Sequence, residues 1–322
     1  MIQFLKIYFR KTKSVVCYRN SGFGDNLFQA ACGWLYAKNC NRSLLINWTN
    51  SRYLSNKKLN AFFYFFTIPN SILGVEIIKT NKINLLLRLK STHFLNVLFS
   101  ILNVFYLKLI SNKTENIFYK KKSRLLQNIS IKEHNLIDKN INVSNKIVYF
   151  RACISNLTNE VKPFFDSIKP SEEILNEIEN FTNKYFKNKK VIGVHVRYYN
   201  KNLVKSDHTK YWIDEDLGLK TIYEKIQKAI NKVNNNDYVI FLATDSSLPN
   251  EYIKTNFSNV VSFPKTFGIN SAKELHEELP QETAKATIAE MFLLAKSDIL
   301  VRFPPGSWFS HYASLYVEDI IT

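Results

Sequence analysis

The sequence predicts an α/β fold of parallel strands and covering helices, arranged in two domains. Apolar runs rich in β-forming residues recur along the chain, and each is followed by a loop and a helical pattern. A chain of 322 residues also exceeds the size at which one hydrophobic core usually stops growing. Pro170 and Ser171 mark a break and a capped helix start. We therefore expect an N-terminal domain over residues 1–168 and a C-terminal domain over residues 169–322.

The N-terminal half begins with one strand–helix–strand unit. Its first strand is expected at 15–18, its loop at 21–26, its helix at 27–38 and its second strand at 43–48. The first ten residues, MIQFLKIYFR, are too interrupted by charge to be the apolar core of a signal peptide. We expect them to form an opening strand.

The C-terminal half repeats the pattern. Strands are expected at 191–196, 238–243 and 299–301, the last after a helix over 284–295. Open α/β sheets bind ligands outside the carboxyl ends of their strands. Polar residues at these strand exits are therefore the candidates for chemistry.

The chain is strongly basic, with a formal charge of +17 from 44 Lys and Arg against 27 Asp and Glu. Such an excess favours anionic partners, namely phosphorylated substrates, acidic lipids or nucleic acid. The basic residues are dispersed and form no recognised nucleic-acid motif, so a nucleic-acid-binding module is disfavoured. The cysteines Cys17, Cys32, Cys40 and Cys153 lack the spacing of a zinc site or a disulfide framework, which fits a reducing cytoplasm.

The loop at 21–26 is the first candidate binding element. Its glycines let the backbone approach a ligand closely, and the following helix N-terminus offers N–H groups, which makes Gly24, Asp25 and Asn26 candidate contacts. The alternative is a tight turn in which Asp25 or Asn26 caps the helix.

A dinucleotide-dependent oxidoreductase is an alternative for this fold class. The loop superficially resembles the dinucleotide fingerprint, but Leu27 stands in place of its third glycine. The next strand ends at Asn47 without the acidic residue that holds a ribose. This alternative is therefore disfavoured.

Two strand exits carry the strongest chemical signal. Strand alternation places His195 and Arg197 on the same side, where the planar donor fork of Arg suits a diphosphate and its developing charge. At the next exit, Asp245 lies between two hydroxyl residues, a set suited to a ribose or to the N–H groups of a base. A helix cap is the alternative role for Asp245.

An acidic triplet at 214–216 resembles the metal-binding DxD of many sugar-nucleotide enzymes. It stands at the start of a helical pattern over 217–233, where the helix dipole favours acidic residues. We interpret the triplet as a helix start and expect neither an essential metal nor another cofactor.

Residues 94–107 are almost wholly apolar but are shorter than the roughly 20 residues that span a membrane. Basic residues flank them at Arg88, Lys90 and Lys108. Two interpretations of the segment 85–110 stay open: a helix lying on an anionic membrane surface, and a buried core helix.

Together these segments resemble the nodulation-factor fucosyltransferases of the NodZ type, whose relatives include the core α1,6-fucosyltransferases of N-glycans. The similar segments keep the same order and spacing over nearly the whole chain. They are SGFGDNL at 21–27, NW at 47–48, RYL at 52–54, GVHVR at 193–197 with Asn200, Asp207-His208, YW at 211–212, LATDS at 242–246, MFLLA at 291–295, RFPPGS at 302–307 and YA at 312–313.

The resemblance implies a GT-B-like fold, in which two Rossmann-like domains face a cleft that receives the acceptor. It implies that the C-terminal domain binds GDP-fucose, with Arg302 and Ser307 closing the pocket. It also implies transfer of fucose to an oligosaccharide acceptor, with inversion and without a metal. Another GDP-sugar donor, such as GDP-mannose, stays open.

By position, the resemblance implies that Arg197 holds the β-phosphate and that His195 lines the nucleotide pocket. Asp245 and Glu290 would contact the nucleoside. The candidate donor-binding residues are Gly24, Asp25, Asn26, His195, Arg197, Asn200, Thr244, Asp245, Ser246, Glu290, Arg302, Phe303 and Ser307.

The sequence departs from the family at three positions. Tyr198 stands where relatives carry Arg or His, and Glu290 stands where Asp is usual. Lys205 falls where N-glycan-type relatives carry their candidate base, so we take Asp207 as the base, with Arg197 as the second catalytic residue. Because GDP-sugars are made in the cytoplasm, the charge and the apolar segment predict a cytoplasmic protein at the inner face of a membrane, acting on a lipid-linked or lipopolysaccharide-type glycan.

Overall fold

Parallel strands and helices alternate in both halves of the computed structural model. The residues described are 13–18, 21–79, 114–117, 147–150, 158–198, 212, 214–233, 237–267 and 280–322. The chain divides into two compact units, residues 1–169 and 170–322. The strand expected over the first ten residues and the apolar segment 85–110 both lie outside the described residues.

The first unit contains a parallel sheet with the strand order β2-β1-β7-β6. Its elements are β1 (Ser14–Cys17), α1 (Phe23–Asn39), β2 (Ser43–Ile46), α2 (Ala61–Phe65), β3 (Phe66–Thr67), β4 (Ser71–Ile72), β5 (Val75–Glu76), β6 (Thr114–Ile117), β7 (Ile147–Phe150), α3 (Thr158–Asp166) and β8 (Lys169–Pro170). Helix α1 is buried on nearly every side, because it packs between the sheet and α3. Phe28 and Phe165 join α1 to α3, with ring centroids 4.8 Å apart.

The second unit is a five-stranded parallel sheet with helices on both faces. Its elements are α4 (Glu172–Tyr185), β9 (Lys190–Val196), α5 (Glu215–Lys232), β10 (Tyr238–Thr244), α6 (Ser247–Asn256), β11 (Val260–Ser262), α7 (Pro280–Leu294), β12 (Ile299–Phe303), α8 (Trp308–Ala313) and β13 (Asp319–Ile321). The strand order is β11-β10-β9-β12-β13. The order reverses between β9 and β12, so the ligand-binding crevice of such a sheet is expected at the carboxyl ends of these two strands.

The two faces of β9 have different partners. Ile192, Val194 and Val196 point into an apolar cluster with α5 and α6. The opposite face lies under α7, where Gly193 carries no side chain. A Cβ there would lie 2.1 Å from Ser297 Oγ, so glycine is what allows the end of α7 to lie this close to the sheet.

The elements predicted within the described residues are found, with shifted ends. Strand β12 extends to Phe303, two residues beyond the predicted end, because Arg302 and Phe303 pair with His195 and Val196 of β9. Helix α4 begins after Ser171 as predicted, but the Ser171 hydroxyl makes no capping bond. In the described part of the chain, none of the helices is long and apolar enough to cross a membrane.

Candidate functional site

Charged side chains from four neighbouring strands gather at the carboxyl edge of the second sheet. Arg197 follows β9, Asp245 follows β10, Lys265 follows β11, and Arg302 lies near the end of β12. A buried carboxylate, Glu290 of α7, completes the group. Because parallel strands end at the same edge, residues far apart in the sequence meet here.

Asp245 connects the exits of β9 and β10. One of its carboxylate oxygens lies 2.6 Å from Arg197 Nη1, and the other accepts a hydrogen bond of 2.9 Å from the Tyr198 N–H. The Arg197 N–H donates to the Phe303 carbonyl at 2.8 Å, and the Arg197 carbonyl accepts from Trp212 Nε1 at 2.9 Å. The backbone of Arg197 is thus fixed at the reversal point of the sheet. Asp245 does not cap helix α6, so that alternative is wrong, because both carboxylate oxygens bond toward β9.

Arg302 is a buried cation with neutral partners. Its side chain donates to Ser310 Oγ at 3.0 Å and to the Ser307 carbonyl at 3.2 Å. Among the residues that the structure describes, no carboxylate lies within ion-pair distance of this guanidinium. Burial lowers the pKa of Arg302 to about 10. A buried charge without an opposite charge is costly, which makes this position an attractive one for an anion.

His195 lies beside Arg302 across the β9–β12 pairing, and its ring packs on Phe309 with centroids 5.0 Å apart. Burial lowers the pKa of His195 well below its usual value, and the positive charges of Arg197, Arg302 and Lys265 lower it further. The imidazole is therefore neutral near pH 7. Its buried Nδ1 has no hydrogen-bond partner among the described residues. Three cations thus act on a neutral imidazole whose Nδ1 has no partner in the part of the chain that the structure describes.

Glu290 pairs with a lysine that sequence analysis missed. Lys265 Nζ lies 2.7 Å from the Glu290 carboxylate, whose side chain is only 5% exposed. Burial raises the pKa of Glu290, and Lys265 opposes that rise. Lys265 follows a strand of only three residues, β11, and in a chain with 44 Lys and Arg nothing in the local pattern distinguishes it.

Four other predicted residues lie at the same edge. Thr244 is buried and its Oγ1 accepts a long bond of 3.5 Å from the Ser246 N–H, while Ser246 occupies the N-cap of α6. Ser307 occupies the N-cap of α8. The Phe303 ring points into the apolar core against Trp212, with centroids 5.2 Å apart, so Phe303 reaches the site through its carbonyl.

Gly24, Asp25 and Asn26 lie in the first unit, inside the first turn of α1. The Asn26 side chain accepts from the Ser21 N–H at 3.2 Å and donates to the Ser21 carbonyl at 3.3 Å, and Ser21 Oγ donates to Asp25 at 3.1 Å. These bonds hold the turn that leads into the helix. The N-cap is Gly22, so the alternative in which Asp25 or Asn26 caps the helix is wrong.

The acidic triplet begins α5, as predicted. Asp214 is the N-cap and accepts a bond of 3.0 Å from the Leu217 N–H, which confirms the capping interpretation. Glu215 accepts a bond from the Tyr198 hydroxyl, and burial together with this bond raises the pKa of Tyr198 to about 12. Within the described ranges, no three His, Cys, Asp or Glu side chains are grouped as metal ligands.

Three of the positions considered for donor binding or catalysis fall outside the described residues. They are Asn200, Lys205 and Asp207. The assignments of Asp207 as the catalytic base and of Asn200 as a contact of the sugar-nucleotide donor therefore stay predictions.

Comparison with known proteins identifies the family. The sequence matches the family Nodulation protein Z (NodZ) over residues 11–322. Nodulation protein Z of Bradyrhizobium diazoefficiens is 33% identical over 309 residues, which cover 95% of this chain and 80% of the relative. The Sinorhizobium fredii protein of the same name is 29% identical over 310 residues, covering 95% and 92% of the two chains.

Solved structures show the same fold. A NodZ α-1,6-fucosyltransferase co-crystallised with GDP superposes with a TM-score of 0.70 at 24% identity, covering 97% of this chain and 94% of the other. The same enzyme soaked with GDP-fucose superposes with a TM-score of 0.68, also at 24% identity, covering 96% and 94%. The predicted α/β, GT-B-like fold class is confirmed. The family match over nearly the whole length shows that the chain belongs to the NodZ family.

Proposed function

We propose that the chain is an inverting, metal-independent glycosyltransferase that transfers fucose from GDP-fucose to a hydroxyl of an oligosaccharide. The observation that carries this proposal is the buried Arg302 guanidinium, which has neutral partners and lies beside the neutral His195. Membership of the NodZ family supports the activity, and the related structures with GDP and GDP-fucose support the donor.

The donor diphosphate fits the cationic edge of the second sheet. Arg197 and Arg302 offer planar forks of N–H donors, which match phosphate oxygens better than a point charge does. His195 Nδ1, which a neutral imidazole can present as a donor or as an acceptor, and the hydroxyls of Thr244 and Ser246 lie at the same edge and suit the polar groups of a nucleoside. We propose that Glu290 contacts the guanine base of the donor, since a carboxylate accepts hydrogen bonds from N–H groups such as those of guanine.

The transfer step requires charge stabilisation at the leaving group and a base at the acceptor. Arg197 offsets the negative charge that develops on GDP as the bond to the fucose anomeric carbon breaks. Asp207 takes the proton of the acceptor hydroxyl, whose oxygen attacks the opposite face of the sugar and inverts the anomeric carbon. Because guanidinium groups neutralise the diphosphate in this scheme, no metal is needed there.

The acceptor is an oligosaccharide with a GlcNAc-like residue or a lipid-linked glycan. Gly24, Asp25 and Asn26 belong to the first unit, and we propose that their turn contacts a substrate through its backbone. The bonds among Ser21, Asp25 and Asn26 keep the turn in one conformation, so it is prepared for a ligand before one arrives.

A nucleotide panel tests this proposal. We expect GDP and GDP-fucose to raise the melting temperature, and UDP and ADP to leave it nearly unchanged, because a ligand that binds only the folded state stabilises it. Product analysis with GDP-fucose and an oligosaccharide acceptor then tests transfer. Equal stabilisation by UDP would overturn the donor assignment, and transfer from GDP-mannose but not GDP-fucose would replace the sugar.

A further inference from the structure

Lys265 and Glu290 form a nearly buried ion pair within the candidate donor site. Their side chains are 17% and 5% exposed, and the charged groups are 2.7 Å apart. The lysine comes from the loop after β11 and the glutamate from α7, so the pair joins an edge of the sheet to the helix that covers it. Nζ also lies 5.5 Å from the centre of the Phe267 ring, a cation–π distance that favours this position of the lysine.

The charge of Glu290 depends on this lysine. Burial favours the protonated carboxyl group, and the negative charge of Asp245 acts in the same direction. Of the described groups that act on Glu290, Lys265 is the one that favours the carboxylate, through its charge and its hydrogen bond. The ion pair with Lys265 therefore determines whether Glu290 is a charged carboxylate when a ligand binds.

We propose that Lys265 is a positioning residue that fixes the charge and the orientation of the Glu290 carboxylate, and that it controls nucleotide binding through Glu290 without touching the nucleotide. This inference rests on the proposed function, in which Glu290 contacts the base of the GDP-sugar. A carboxylate presents acceptors to two N–H groups of a base, whereas a carboxylic acid replaces one of them with a donor. Loss of Lys265 therefore weakens binding even though Glu290 is still present.

A double-mutant cycle on GDP affinity, measured by calorimetry, tests the inference. In the parent, Lys265→Met should raise the Kd for GDP about tenfold or more, the size expected for hydrogen bonds to a charged group. In a Glu290→Gln background the same change should have little effect, because the group through which Lys265 acts is gone. An equal loss in both backgrounds would mean that Lys265 acts directly on the ligand, which overturns the proposal.

The pH dependence is a readout that a purely structural role would not change. In Lys265→Met, the affinity for GDP should rise with pH more steeply than in the parent, since Glu290 regains its charge as protons become scarce. Lys265→Arg keeps the cation and should retain most of the affinity. A Met variant with parental affinity and a parental pH profile contradicts the proposal.

Lys285 of α7 supplies the matched control. Its side chain is 15% exposed, close to the 17% of Lys265, but it pairs with Glu173, which is 60% exposed and lies outside the candidate site. Lys285→Met should alter thermal stability without changing GDP affinity. If the parent itself fails to bind GDP, the proposed function fails; if the parent binds and the cycle is additive, only the role of Lys265 fails.

Discussion

Arg197 Nη1 and Asp245 Oδ2 lie 2.6 Å apart and join the exits of the two adjacent strands β9 and β10. The other Asp245 oxygen accepts the Tyr198 N–H, so one carboxylate orients both the side chain and the backbone around Arg197. Asp245 thus has a positioning role in addition to the nucleoside contact that the family resemblance implies. The relationship makes Arg197 the first residue to test.

Arg197→Lys should remove most of the activity and leave the fold intact. Lysine keeps a positive charge near Asp245 but lacks the planar fork that holds two phosphate oxygens. We expect the loss of transition-state stabilisation to be about 2–4 kcal/mol, by analogy with removal of one oxyanion donor. Steady-state kinetics together with a thermal melt measure both effects. Turnover within a few-fold of the parent would remove Arg197 from the mechanism.

Arg302→Met should weaken GDP binding while costing little stability. No carboxylate of the described residues pairs with this buried guanidinium, so an apolar replacement breaks no ion pair there and removes the cost of burying the charge. The two groups it leaves, the Ser310 hydroxyl and the Ser307 carbonyl, already lie within a hydrogen bond of 3.4 Å of each other. The check is a melt with and without GDP. A variant that unfolds, or one that still binds GDP as the parent does, would contradict an anion-binding role.

His195 should make the ligand-free protein sensitive to acid. Because the pKa of His195 is lowered in the folded chain, the unfolded chain takes up this proton first as the pH falls. The contribution to stability is complete above the unfolded pKa of about 6.5 and is lost below it, with a slope of at most about 1.4 kcal/mol per pH unit. Denaturant melts at several pH values should show a smaller slope for His195→Asn. An unchanged slope would mean that His195 binds its proton equally well in the folded and the unfolded chain, which contradicts the lowered pKa.

Activity should persist in EDTA. Asp214 is engaged as the N-cap of α5 and Glu215 holds the Tyr198 hydroxyl, so the one acidic triplet that resembles a metal motif has structural partners. In this scheme, guanidinium groups of the protein neutralise the diphosphate charge that a metal ion neutralises in other sugar-nucleotide enzymes. Fucose transfer measured before and after chelation, followed by addition of Mn²⁺ or Mg²⁺, decides this. Recovery that requires added metal would show that a site exists elsewhere.

Attachment to anionic vesicles is the prediction for the apolar segment 85–110. Each Lys or Arg near an anionic surface contributes about 1 kcal/mol, so a few beside an apolar face suffice for reversible binding. Replacing Phe94, Leu98 and Phe105 with Ser should abolish flotation with vesicles and leave the fold intact. If the parent stays unbound at low salt, or the triple variant unfolds, the segment belongs to a hydrophobic core.

The strand exits could be predicted because their signal is local. A buried parallel strand is an apolar run, so its end is visible where polar residues begin, and His195, Arg197, Asp245 and Arg302 all stand at such points. The pairing of Arg302 with His195 could not be predicted in this way, because register depends on which strands become neighbours. Lys265 was missed for the same reason: its importance comes from Glu290, which is distant in the sequence.

The start of α1 shows a different limit. Glycines at 22 and 24 predict a loop, yet the helix begins at Phe23. The Asn26 and Asp25 side chains bond to Ser21 and stabilise the turn that leads into this early start. Local side-chain bonds of this kind override the intrinsic preference of glycine against helices.

Because the side chain of Gly193 is a hydrogen atom, the end of α7 packs close to β9, and this distance would determine the depth of the proposed donor site. A methyl group there would collide with Ser297 Oγ, and the relief would be an outward shift of α7. Glu290 lies in α7, about two helical turns before Ser297 in the sequence. An outward shift of α7 would therefore move the Glu290 carboxylate away from Lys265 and from a bound nucleotide base. Substituting Gly193, which lies in β9 beneath α7, should therefore first weaken binding of the proposed donor, because the distance between this strand and this helix determines the position of Glu290.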